Sequence, residues 1–169
     1  MPLFTPQYDF HRIEEIPTAF FAQKGIRALL LDVDNTLTGD NSQEVKPEVT
    51  AWLERQRQAG LRLFVISNNR EARVAPFAGR LGLEYIADAA KPSKKVVLAK
   101  MKEFGVSPQQ TALIGDQLFT DILCGNLCGC VTILVEPYAP EGYGLYRIKR
   151  PLEKPFLRGY YRRKRRESE

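Results

Sequence analysis

Histidine, cysteine and long apolar runs are all scarce in this chain, and each shortage excludes something. Of 169 residues only His11 is a histidine, and the three cysteines, Cys124, Cys128 and Cys130, sit far from it. A structural zinc site needs four ligands, which these residues are badly placed to supply. An odd number of cysteines without an export signal also argues against a disulfide framework. The thiols read as small, partly buried groups on a helix and the strand after it. No stretch approaches the roughly 18 uninterrupted apolar residues of a spanning helix, and runs such as Ala28–Leu31 are strand-sized. The opening MPLFTPQYDFHRIEE has neither a basic n-region nor an apolar h-region, so it reads as no secretory signal. A cytoplasmic protein is expected.

What is present suits one globular domain. The chain is 44% hydrophobic and 27% charged, enough to enclose a core. Charge is concentrated at one end. From Arg147 onward ten basic residues face Glu153, Glu167 and Glu169, about +7, whereas the whole chain carries +5. The basic character therefore belongs to the tail, and the preceding domain is slightly acidic. Residues 1–26 read as an irregular N-terminal arm, 27–140 as the domain and 141–169 as a basic, aromatic tail.

Within the domain, short apolar segments alternate with helical ones. Strands are predicted over 27–33, 61–66, 83–87, 111–114 and 131–135. Helices are predicted from the Pro47 turn to Gly60, over 70–81, from the Ser93 cap to 104, and over 118–126. Such alternation implies a doubly wound, mostly parallel α/β sheet with helices on both faces. Ligands of these sheets bind beyond the carboxyl ends of the strands, and the polar residues fall there. The first strand ends in Asp32-Val33-Asp34-Asn35-Thr36, the second in Ser67-Asn68-Asn69. Lys91-Pro92 follows the third and Gly115-Asp116, then Asp121, the fourth. Residues two apart on a strand share a face, so Asp32 and Asp34 should project together.

Phosphoryl transfer explains why these types are wanted together. A carboxylate can attack a phosphate only if cations screen the repulsion. Mg²⁺ on Asp32 and Asp116 would do so, with Lys91 and the Ser67 hydroxyl on the phosphoryl oxygens. Asp32 is the candidate nucleophile and Asp34 the general acid and base. Thr36 is a candidate phosphate contact or a turn stabiliser. Asn35, Asn68 and Asn69 read as loop formers, with Asn68 also a candidate substrate contact.

The four segments, Asp32-Val33-Asp34-Asn35-Thr36, Ser67, Lys91 and Gly115-Asp116 through Asp121, resemble the signature motifs of the haloacid dehalogenase superfamily, phosphatase branch. The resemblance implies a Rossmann-like fold and an aspartyl phosphate on Asp32. It implies Mg²⁺ held by the Asp32 carboxylate, the Asp34 carbonyl and Asp116, with Asp121 supporting the site directly or through water. The second aspartate, Asp34, favours phosphatase over dehalogenase or ATPase chemistry. The spacings leave no room for a cap domain. KGIRALLLDVDNTL, SNN, KPSKK and GDQLFTDILCGN look like the capless, YqeG-like subfamily, whose relatives include a mitochondrial phosphatidylglycerophosphate phosphatase.

The resemblance implies an open site, which in that family serves large substrates or borrows a lid by oligomerising. The tail interleaves aromatic and basic residues, a composition for anionic membrane surfaces. It suits RNA or ribosomes equally. Pro151 and Pro155 argue against one continuous helix there. The expected function is removal of phosphate from phosphatidylglycerophosphate at the inner face of a membrane. Two alternatives stand beside it: a cytosolic phosphatase for a phosphosugar, nucleotide or phosphoprotein, and a non-enzymatic RNA- or ribosome-binding protein.

Overall fold

Apolar segments closed by glycines form strands and helices close to where the pattern places them. The computed structural model describes residues 3–39, 42–138 and 146–167, with side chains in the last stretch from 151 to 166. The strands are β1 (Tyr8–Phe10), β2 (Ala28–Asp32), β3 (Arg62–Ile66), β4 (Glu84–Ile86), β5 (Thr111–Gly115) and β6 (Val131–Val135). The helices are α1 (Thr18–Gln23), α2 (Pro47–Gln58), α3 (Glu71–Leu81), α4 (Lys94–Glu103), α5 (Leu123–Cys128) and α6 (Tyr146–Glu167). A π-helical turn, Leu118–Ile122, runs directly into α5.

The sheet has the order β1-β6-β5-β2-β3-β4, and every pairing is parallel. From β2 the chain builds outward through β3 and β4, then returns to lay β5 and β6 on the other side. The reversal lies between β2 and β5, where a doubly wound sheet opens its crevice. Along β2 the period-two alternation splits the core. Leu29 and Leu31 pack with Trp52, Phe21 and Phe77 on one face, and Ala28 and Leu30 with Phe64, Met101 and Cys124 on the other. The three cysteines are free and buried. Helix α2 buries Val49, Trp52, Leu53 and Gln56 as one stripe, and the Trp52 indole donates to the Ile16 carbonyl at 2.8 Å.

Two expectations are corrected. The N-terminal arm is not irregular: β1 pairs with β6, Tyr8 opposite Ile133 and Phe10 opposite Val135, and α1 follows it. Residues 146–167 of the tail form one helix despite Pro151 and Pro155. Both prolines are exposed, while Glu153 and Tyr160 are buried and Leu157 half-buried on the inner face. Each internal proline costs about 3 kcal/mol in an isolated helix, and packing of the inner face offsets that. The boundary between 140 and 141, and Tyr143, lie outside the described residues.

Candidate active site

The chain leaves β2 through a tight turn that gathers the first motif. Asn35 adopts a left-handed conformation, φ 63°, which asparagine tolerates better than most residues. Thr38 bridges back to Asp34. Within this turn the Thr36 hydroxyl donates to Oδ2 of Asp32 at 3.3 Å. Thr36 thus orients the candidate nucleophile. Asp32 stands level with Ile66, so Ser67 begins the loop just beyond it on β3. On the other side Asp116 follows β5 directly.

Lys91 ties the halves together. Its Nζ donates to Oδ1 of Asp32 and to Oδ1 of Asp121, each at 2.6 Å, and its side chain is only 3% exposed. One oxygen from each of Asp32, Asp116 and Asp121 lies within 4.8 Å of the others, and all three residues are buried. Burial first, and Asp121 next, push the Asp32 carboxyl up to about 7 against the pull of Lys91. Burial pulls the Lys91 ammonium down, yet the charges of Asp121 and Asp32 outweigh it and hold it above the ordinary lysine range. Three buried acids thus crowd one strand edge, with the Lys91 ammonium bridging two of them.

The remaining candidates are placed as follows. The Asp34 carboxylate turns toward α3, accepting from Asn69 Nδ2 and Arg73 Nη2, both at 2.7 Å. Arg73 Nη2 also donates to the Ser42 carbonyl at 2.9 Å, fastening the loop after the first motif. The Ser67 oxygen accepts the Asn69 amide at 3.0 Å. Asn68 uses both ends of its side-chain amide on the main chain of Lys91, donating at 2.9 Å and accepting at 2.6 Å. It therefore clamps the lysine loop. Asn69 and Arg73 were not legible as site residues. Asn69 resembles a turn former, and Arg73 lies on α3, away from any motif.

Gly115 is required by close approach. A Cβ there would run into Cβ, Cγ and Oδ2 of Asp121, which folds back over the strand end. Gly115→Ala should displace Asp121 from Lys91 and destabilise the fold by about 1–3 kcal/mol. Melting temperature and phosphatase activity should fall together. A variant matching the wild type in both would mean the turn shifts freely.

Clustered acids and a lysine at the switch point of a parallel sheet define the class, an enzyme of anionic chemistry on a doubly wound fold. The model of the haloacid dehalogenase-like hydrolases matches residues 23–129. The chain belongs to that family and is a phosphatase of it. It is 31% identical over 154 residues to the "Probable phosphatase YqeG" of Bacillus subtilis, covering 91% of this chain and 90% of that one. It is 27% identical to an Arabidopsis thaliana "Phosphatidylglycerophosphate phosphatase 1", over 83% of this chain but 43% of the longer relative. Among solved structures, an uncharacterized Listeria monocytogenes protein aligns with TM-score 0.58 at 15% identity, covering 71% of this chain and 86% of that one. The cobalt-bound deoxy-D-mannose-octulosonate 8-phosphate phosphatase of Haemophilus influenzae aligns with TM-score 0.54 at 20% identity, covering 66% and 69%. These two show the shared fold.

Proposed function

We propose that this phosphatase is Mg²⁺-dependent and acts on phosphatidylglycerophosphate at an anionic membrane surface, through an aspartyl phosphate on Asp32. The observation that carries the chemistry is the convergence of Asp32, Asp116, Asp121 and Lys91 at one strand edge. Their hard carboxylate oxygens, one from each acid within 4.8 Å of the others, fit Mg²⁺, which Asp32, Asp116 and Asp121 would hold. Bound there, the ion would neutralise the substrate's phosphoryl oxygens.

The chain's own residues do the rest. Lys91 and Ser67 hold the phosphoryl group, and Asn68 fixes the loop that carries Lys91. An Asp32 oxygen forms a bond to phosphorus as the bond to the leaving oxygen breaks, and Asp34 gives that oxygen its proton. Asp34 then takes a proton from water, whose oxygen attacks phosphorus and releases Asp32 and inorganic phosphate. Asn69 and Arg73 hold Asp34 in place for both steps.

The substrate reading rests on three supports. Only one helix lies between β3 and β4, and no extra domain separates β2 from α2 among the described residues, so neither connection carries a cap domain. Relatives in Arabidopsis and Chlamydomonas reinhardtii carry the name phosphatidylglycerophosphate phosphatase. Helix α6 exposes Arg158, Arg162, Arg165 and Arg166 alongside Leu152, Phe156 and Tyr161. No helix among the described residues is long and apolar enough to cross a membrane, so this contact would be peripheral.

The test is phosphate release from phosphatidylglycerophosphate in mixed micelles, with and without Mg²⁺, beside glycerol 3-phosphate and an aryl phosphate. Metal-dependent release favouring the lipid is expected. Equal or better turnover of the soluble esters would remove the lipid assignment while leaving the chemistry. Replacing Arg158, Arg162 and Arg165 by alanine should weaken binding to anionic vesicles about 100-fold, each cation near the surface contributing about 1 kcal/mol. Unchanged vesicle binding, or loss of RNA binding in its place, would refute the membrane role.

A further inference from the structure

Three successive main-chain amides follow Asp116, and each is taken by a carboxylate. The amide of Gln117 donates to Oδ2 of Asp121 at 3.1 Å. Those of Leu118 and Phe119 donate to Oε1 of Glu153, at 2.8 and 3.3 Å. Glu153 comes from α6, 35 residues beyond Leu118, and is 3% exposed on a helix whose outer face is basic. Burying a carboxylate costs several kcal/mol unless donors meet it. This glutamate is therefore not part of a solvated face.

The neighbours of Glu153 hold it in register. Leu157 packs against the cluster of Leu118, Ile122 and Leu134. The Phe156 ring lies 5.3 Å from that of Phe4 and 5.5 Å from that of Phe119. Further along the helix, the Tyr160 hydroxyl donates to Asp9 at 2.6 Å. The segment so gripped is the π-helical turn carrying Asp121. A single π turn is a rare form that favours functional sites, and here its winding lays Asp121 over Gly115 and onto Lys91.

We propose that Glu153 is a positioning residue for the acidic centre. Through the Leu118 and Phe119 amides it fixes the turn joining Asp116 to Asp121, which makes the C-terminal helix a working part of the enzyme. The inference rests on Asp32, Asp116 and Asp121 being the reacting and metal-binding centre. Partners that orient metal-binding groups typically contribute 10–100-fold in affinity or activity.

The experiment uses the full chain, a soluble aryl phosphate so that membrane docking plays no part, and calorimetric titration with Mg²⁺ alone. Glu153→Ala should lower kcat about 10–100-fold with little change in KM, and weaken Mg²⁺ binding about 10-fold. Glu153→Gln keeps the acceptor oxygen and should stay within about 3-fold of wild type on both measures. Tyr160→Phe loosens only the far end of the helix and should also stay within about 3-fold. Should the alanine variant fail to fold, Glu153→Asp retains the charge but is one methylene short, and should show the same losses. Alanine or aspartate variants with wild-type kcat and Mg²⁺ affinity would overturn the proposal. So would a Tyr160→Phe variant as impaired as Glu153→Ala, since that would reflect helix docking in general. A wild type inert toward aryl phosphates, yet binding Mg²⁺ more tightly than Glu153→Ala, would defeat the phosphatase mechanism and support the positioning role.

Discussion

Asp32→Asn should lower kcat about 10⁴-fold or more, the scale seen when a covalent nucleophile is removed, while the protein stays folded. The side chain keeps its shape, and its oxygen can still face Lys91. Only the nucleophilic charge is lost. Stability should not suffer in metal-free buffer. The Asp32 carboxyl is pushed up to about 7 by burial and by Asp121, so its surroundings disfavour the charged form that asparagine replaces. An inactive variant with a melting temperature equal to or above wild type in EDTA is the expected result. Activity within 10-fold of wild type would place the nucleophile elsewhere.

Lys91→Met should produce the opposite pattern in stability. Its ammonium is the bridge between the buried carboxylates of Asp32 and Asp121. Removing one partner of a buried ion pair costs about 3–5 kcal/mol, because the remaining charges have no counterion. For a chain of this size that lowers the melting temperature by about 10 °C in EDTA. Mg²⁺ should recover part of the loss, since a cation that binds only the folded state stabilises it by mass action. Activity should fall about 10²–10³-fold, the effect of losing one preorganised donor to a developing anion. Calorimetric melting with and without Mg²⁺, run beside kinetics, separates the two effects. A metal-free variant as stable as wild type would mean that Lys91 does not hold the acids together.

Part of the candidate site can be read from the chain because three of its residues end or follow an apolar run. Asp32 closes Ala28–Leu31, Ser67 follows Leu63–Ile66, and Asp116 follows Ala112–Gly115. A parallel sheet turns those three endings into one edge. Lys91 was legible only through its motif, since nothing in its local sequence shows that its Nζ reaches Asp32 and Asp121. Strand β1 is not legible in the sequence because Tyr8–Phe10 is three half-buried residues with an aspartate in the middle. Its strand character comes from pairing with β6, a tertiary fact. The continuity of α6 was hidden for a related reason. Local proline chemistry predicts a break, and only the packing of Glu153, Leu157 and Tyr160 against the domain overrules it. The contacts of Asn69 and Arg73 with Asp34, and of Glu153 with the amides after Gln117, are not legible in the sequence because the partners lie across loops and helices.

The proposed aspartyl phosphate on Asp32 can be trapped. Asp34→Asn removes the base that opens the intermediate but leaves Asp32 intact. An aryl phosphate with a good leaving group needs no acid to depart. Mixed with Mg²⁺ and such a substrate, then quenched in acid, this variant should release one equivalent of phenol in a burst. It should also carry the mass of one phosphoryl group on the peptide containing Asp32. A burst without label on that peptide, or label on another residue, would contradict the account.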